Sequence, residues 1–331
     1  MSYQTLLQVF YGVSVLALVA CGPSEKTIQE VEIAPVETSV ATVPDEIIRS
    51  GDLAGLYKNT GFDTPVILII PGSGPTDLNG NNPLGVDSNV YQYLAEGLAA
   101  EGISTVRVDK RGMFSSETAG DPNQVTVDIY AQDYSGWVET IRSQTGVSCV
   151  HILGHSEGAL MASATANIND NICGQILVAG VGRSFGDVLR EQLTAQPGGR
   201  LLMKKALANI DKLERGEKIA DEDLDMISKK IFPSHVQDFV ITLMQTDPSE
   251  LAKTADVPTL VLHGETDIQT SVEDAKKLAE ATGGKLVILP GVNHILKDAP
   301  KGRVKNIKTY KQPELPLSDG VVDAIVDFVG K

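Results

Sequence analysis

The residues with the clearest chemical potential lie in Val147–Gly158, VSCVHILGHSEG. The apolar run Val147–Leu153 reads as a buried strand, and Ala159–Ala166 as the first turns of a helix. Between them, Gly154-His155-Ser156-Glu157-Gly158 fits Gly-x-Ser-x-Gly, a sharp strand-to-helix turn with an exposed serine at its tip. A serine hydroxyl is a weak nucleophile at neutral pH. It needs a base to accept its proton, and that base needs an acid to fix its tautomer. Five histidines are available for the base, at 151, 155, 235, 263 and 294. His151 falls inside a strand, His155 in the turn itself, His235 in a helical region, and His263 at a strand end where packing is the simpler role. His294 falls in a loop just past the strand Lys285–Leu289 and is the best candidate for the base. Asp267, after the strand Pro258–His263, is the first choice for the acid and Glu265 the second, with Asp298 expected on the surface. An oxyanion needs two donors. The N–H of Glu157, next to the serine, is one, and the N–H of Ser73, in the loop after Thr64–Ile70, is the other.

Positioning these groups requires strands whose ends converge. Continuous apolar runs at Thr64–Ile70, Ile103–Val108, Val147–Leu153, Cys173–Ala179, Pro258–His263 and Lys285–Leu289 suit a parallel sheet buried on both faces. Helical patterns alternate with them, at Val90–Glu101, Asp128–Thr145, Ser271–Thr282 and Asp319–Val329, the last with Ser318 as N-cap. The expected class is therefore α/β with a mostly parallel central sheet flanked by helices, an antiparallel N-terminal strand or two being compatible with it. Ligands bind such sheets at the strands' C-terminal ends. The rhythm breaks at 183–250, where Phe185–Thr194, Gly199–Leu213, Asp221–Ile231 and Val236–Gln245 read as helices. This insertion is expected to lie over the site as a lid, between a first core part at 47–182 and a second at 251–331. Asp77 and Asn79 are expected to brace the glycine-rich loop after Ile70, and Asp109 and Arg111 to lock together after Val108.

The chain has 331 residues and a net charge of −15, without the basic patches that nucleic-acid binding requires. Residues 1–20 read as a signal peptide whose apolar part is Val9–Ala20. Leu18-Val19-Ala20-Cys21 resembles a bacterial lipobox, which implies lipidation at Cys21 and, with Gly22 next, a protein exported and anchored to the outer membrane facing the periplasm. Residues 21–46, rich in Glu and Pro, then read as an acidic tether. Cys149 and Cys173 read more simply as two buried thiols, with a disulfide open if their strands are neighbours. Their spacing to the histidines does not suggest zinc.

Pro71-Gly72-Ser73-Gly74-Pro75-Thr76-Asp77, Gly154-His155-Ser156-Glu157-Gly158, and Gly264-Glu265-Thr266-Asp267 with Asn293-His294 together resemble the α/β-hydrolase family, in the group of serine esterases, lysophospholipase-like enzymes and serine aminopeptidase-like proteins. The likeness runs from about residue 50 to the end. It implies Ser156 as nucleophile, Asp267 as acid, His294 as base, and the N–H groups of Ser73 and Glu157 as oxyanion donors. It departs at Met113-Phe114, where many relatives have a second glycine, and at Pro71, where a histidine is frequent. The implied activity is hydrolysis of a small carboxylic ester through an acyl-enzyme, with no cofactor and no metal. A peptidase of the same fold and an inactive binding lipoprotein are the alternatives. Oligomeric state is not readable from the sequence.

Overall fold

The computed structural model describes residues 44–195 and 203–330. Eight strands form one sheet: β1 Glu46–Ser50, β2 Leu53–Lys58, β3 Val66–Ile70, β4 Ser104–Val108, β5 Val150–His155, β6 Ile172–Val178, β7 Thr259–Gly264 and β8 Lys285–Leu289. Their spatial order is β1-β2-β4-β3-β5-β6-β7-β8. The β1–β2 and β2–β4 pairs are antiparallel, and every pair from β4 to β8 is parallel. The all-aliphatic β3, VILII, is buried at every position, because helices cover both faces of a parallel sheet.

On one face lie α2 (Val127–Thr145) and α3 (Glu157–Ala166), with Trp137, Val138 and Ile141 of α2 fully enclosed. Thr126 caps α2, its side chain accepting from the Ile129 N–H, and Gly146 at φ 78° ends it. On the other face, α1 (Val90–Ala100) and the C-terminal helix Val321–Val329 bury Leu94, Leu98, Ile325 and Val329 against β3, β5, β6 and β7. That C-terminal helix is shorter than expected. Gly320, at φ 81°, sets its start, and the Ser318 hydroxyl turns away to the Asp298 carboxylate.

Between β6 and β7 the chain builds an inserted helical subdomain of α4 (Phe185–Thr194), α5 (Lys204–Glu214), α6 (Ser228–Ile231), α7 (Gln237–Gln245) and α8 (Pro248–Thr254). The helix expected over 221–231 shrinks to α6. Ile219 and Leu224 are buried on an irregular stretch instead. The Gln237 amide accepts from the Ile219 N–H at 2.7 Å and donates to the carbonyls of Ile219 and Phe232 at 3.0 Å. One buried side chain thus satisfies backbone groups on either side of the stretch, at Ile219 and Phe232. Phe239 of α7 meets the Tyr130 ring of α2 edge-on at 5.6 Å, which seats the insertion on the sheet's helical layer.

Cys149 and Cys173 are bonded to each other. Of the two readings that the sequence left open, this is the disulfide and not the simpler pair of free thiols. Because β5 and β6 are parallel neighbours, with a register shift between Val150 and His151, the two Cα atoms stand 5.2 Å apart. The expectation of an exported, lipid-anchored protein is corrected. No helix among the described residues is long and apolar enough to cross a membrane, and the cysteines among them are joined in an internal disulfide and not to a lipid. Cys21, the signal-like segment and the expected tether as far as residue 43 lie outside the described residues.

Candidate active site

β5 runs into Ser156, which adopts φ 58° and ψ −120° before α3 begins at Glu157. A non-glycine residue at positive φ is strained and persists only where its surroundings hold it. The Ser156 N–H donates to the Val178 carbonyl at the end of β6, 2.8 Å away. The flanking glycines are required by space. A Cβ at Gly154 would lie 2.1 Å from the Gly158 carbonyl oxygen, and one at Gly158 would lie 2.4 Å from the Ile70 oxygen.

Asp267 and His294 follow β7 and β8, and the His294 Nδ1 lies 2.7 Å from Asp267 Oδ2. Asp267 also accepts from the N–H groups of Gln269 (2.7 Å) and Thr270 (3.1 Å), with the Thr270 hydroxyl 2.9 Å away. Burial by itself would push this carboxyl up. The His294 charge and hydrogen bond, helped by the Gln269 N–H, overrule it and hold the group down at about 2.

His155 joins the two halves. Its Nε2 lies 2.8 Å from the His294 carbonyl, and its Nδ1 lies 2.8 Å from the Tyr91 hydroxyl. The Gly72 N–H in turn donates to that hydroxyl at 3.0 Å. Burial, then the neighbouring His294 charge, lowers His155 to about 3, so the ring is neutral. A neutral imidazole has one donor and one acceptor, and these partners make Nε2 the donor and Nδ1 the acceptor. The residue before Ser156 is therefore bonded to the main chain of His294.

Around the serine, Ser73 donates its hydroxyl to Glu157 Oε2 at 2.8 Å. The Glu157 Oε1 lies 3.9 Å from the buried Lys110 Nζ, which itself donates to the Gly72 carbonyl at 2.8 Å. No acceptor among the described residues pairs with the Ser73 N–H. The Glu157 N–H, at the first position of α3, has no intrahelical partner by geometry.

The chain matches the family model for serine aminopeptidase, S33 (Hydrolase_4), over residues 84–298. It belongs to that family. It is also 26% identical over 239 residues to the esterase EstD of Thermotoga maritima, a match covering 70% of this chain and 54% of that protein. The chain thus spans about half the length of that relative. Among solved structures, Est1E from Butyrivibrio proteoclasticus is similar at a TM-score of 0.53 and 16% identity, covering 87% of this chain and 99% of that one. A lipase-esterase related protein from Clostridium acetobutylicum is similar at 0.51 and 17%, covering 84% and 99%. At such identity the structural likeness speaks for the fold.

In this S33-family chain, a narrow cavity opens beside Ser156, Ser73 and Glu157 and is walled by Leu160, Val181 and, from the insertion, Phe185, Leu243 and Pro248. Its volume is about 20 Å³. The structure places the remaining candidates elsewhere. Glu265 is at the surface with Lys301 and the Gly291 N–H. The expected Asp109–Arg111 lock is absent, because Arg111 grips the Asp133 carboxylate of α2 with two bonds while Asp109 accepts from the Ser115 N–H. Asp77 accepts from the N–H groups of Asn79 and Asn81, and Asn79 from Arg107, so both brace their loop. His263 is enclosed, 4.0 Å from Asp267. His151 packs edge-on against Phe328. Among the described residues no group of three or more His, Cys, Asp or Glu could hold a metal ion.

Sequence reasoning passed over Tyr91, Lys110, Gln269 and Thr270. The last two carry a readable signal, since an Asp commonly takes N–H bonds from residues two and three places ahead of it. Tyr91 and Lys110 carry none. Their partners at Gly72 and His155 are distant in the chain.

Proposed function

We propose that the protein is a serine hydrolase that cleaves small carboxylic esters through an acyl-enzyme formed on Ser156. The observation that carries this reading is the strained Ser156 turn, with a bonded Asp267–His294 pair tied to it through His155. Family membership supports classification as a carboxylic ester hydrolase. In the proposed reaction, ionised Asp267 receives the Nδ1–H of His294 and leaves Nε2 free to take the Ser156 proton as Oγ attacks the ester carbonyl. The oxyanion is met by the N–H groups of Ser73 and Glu157. The His294 imidazolium then protonates the leaving alcohol, and water releases the acyl group by the same steps in reverse. The small apolar cavity favours a short acyl chain. A peptidase acting on a free amino terminus would need an available carboxylate to receive the substrate's ammonium. Glu157, the carboxylate lining this cavity, is already paired with Lys110 and Ser73.

The test is labelling with a fluorophosphonate read by intact mass, followed by rates on esters from acetate to octanoate and on amino-terminal amides. One adduct, lost in Ser156→Ala, with turnover of acetate ahead of octanoate and of both ahead of amides, is expected. Labelling that survives in Ser156→Ala, or faster turnover of the amides, would sink the reading.

A further inference from the structure

Lys110 sits two residues past the end of β4 and is 3% exposed. Removing an ammonium from water costs several kcal/mol unless close partners compensate. Burial lowers its pKa, and the Glu157 charge opposes that shift. The Tyr130 ring, with its centroid 6.0 Å from Nζ, adds a weaker attraction. An apolar side chain of similar length would fill the same space without this desolvation. What an apolar side chain lacks is the 2.8 Å hydrogen bond to the Gly72 carbonyl.

That carbonyl shares a peptide unit with the Ser73 N–H. The unit is planar and trans, since the described chain contains no cis peptide, so its C=O and N–H point in opposite directions. A donor clamped on the oxygen therefore fixes where the N–H aims. Position 72 needs such a clamp for a steric reason. A Cβ there would stand 3.2 Å from the Ser156 Cβ and 3.3 Å from the His155 oxygen, so glycine alone fits easily, and glycine leaves the adjoining peptide plane soft. The Ser73 hydroxyl is held from the other side by Glu157, whose second oxygen faces Lys110.

We propose that Lys110, with Glu157 as its counter-ion, is a positioning residue that holds the Gly72–Ser73 peptide so that the Ser73 N–H meets the oxyanion. This inference rests on the oxyanion role of Ser73 under the proposed function. It acts through a backbone group, so its effect belongs in the transition state and not in substrate binding.

The experiment uses the full chain with Lys110→Met, and with Lys110→Met combined with Glu157→Gln. The double variant leaves no unpaired buried ion and keeps an acceptor for the Ser73 hydroxyl, so it stays readable if the single variant fails to fold. The readouts are kcat and KM on an acetate ester, and Ki for a methyl trifluoromethyl ketone, whose hemiketal on Ser156 places an oxyanion in the same position. Losing one oxyanion donor lowers kcat by about 10²-fold or more. The expected result is a fall of about that size in kcat in the folded variants, KM within about twofold of wild type, and Ki raised in parallel with the fall in kcat. A folded double variant with unchanged kcat and Ki overturns the inference, and so does a loss shared equally by kcat, KM and Ki, which marks general loosening. Both of these outcomes leave wild-type labelling by fluorophosphonate intact. Wild type that is not labelled at Ser156 instead removes the proposed function, and this inference with it.

Discussion

Asp267 and Asp109 stand in comparable places, each just past the C-terminal end of a parallel strand and each with its side chain almost wholly buried, yet their carboxyls are driven in opposite directions. Asp267 is lowered from 3.8 to about 2, while Asp109 is raised to about 6, first by burial and further by the Asp77 charge, with only the Ser115 hydrogen bonds opposing. Burial acts the same way on both. The difference is in the donors: Asp267 meets His294, two backbone N–H groups and a hydroxyl, whereas Asp109 Oδ1 has no hydrogen-bond partner. A buried carboxylate is thus made ready for ionised service by its surroundings and not by its depth.

The largest break in this comparison comes from Asp267→Asn. It removes the charge while keeping the shape, and lets the amide favour the wrong His294 tautomer, so kcat should fall about 10⁴-fold with folding retained. Steady-state rates on an acetate ester beside a thermal melt check this, and a loss under tenfold would detach Asp267 from the chemistry.

Next in size is Asp109→Asn. Because the folded carboxyl titrates near 6 and the unfolded one near 3.8, the folded state alone keeps the proton between those values. Wild-type stability therefore falls as pH rises from about 4 to 6, by roughly 3 kcal/mol in all. The asparagine variant should match wild type near pH 4 and exceed it above pH 6 in urea unfolding. A gap that does not change with pH would show that Asp109 is not the titrating group.

Asp267 has the opposite sign. Its depressed value contributes about 2 kcal/mol above pH 4, which is lost as pH falls toward 2. The smallest effect expected is from Thr270→Val, which removes one hydroxyl from Asp267 but spares both backbone donors. It should slow turnover by about tenfold, the lower end of what a single hydrogen bond to a charged group contributes. A loss as large as that of Asp267→Asn would mean that the hydroxyl, and not the N–H groups, sets the carboxylate.

The alternation of strand and helix, the Ser156 turn and the strand-end positions of Asp267 and His294 were legible in the chain, because each depends on residues within one element or the loop that follows it. Boundaries set by distant partners were not. The helix expected from 221 begins only at Ser228, and Gln237, from a later helix, holds the backbone of Ile219 just before that irregular stretch. The bond of Cys149 to Cys173 depends on β5 and β6 lying side by side with a shifted register, which sheet order decides. Likewise, His155 reaches the His294 carbonyl across 139 residues, and Lys110 reaches Gly72 across 38. Local spacing determined which groups have chemistry to offer. Only the tertiary structure decided which of them are charged, which are clamped and which point at one another, since those properties come from neighbours that the sheet, and not the chain, brings within hydrogen-bond distance.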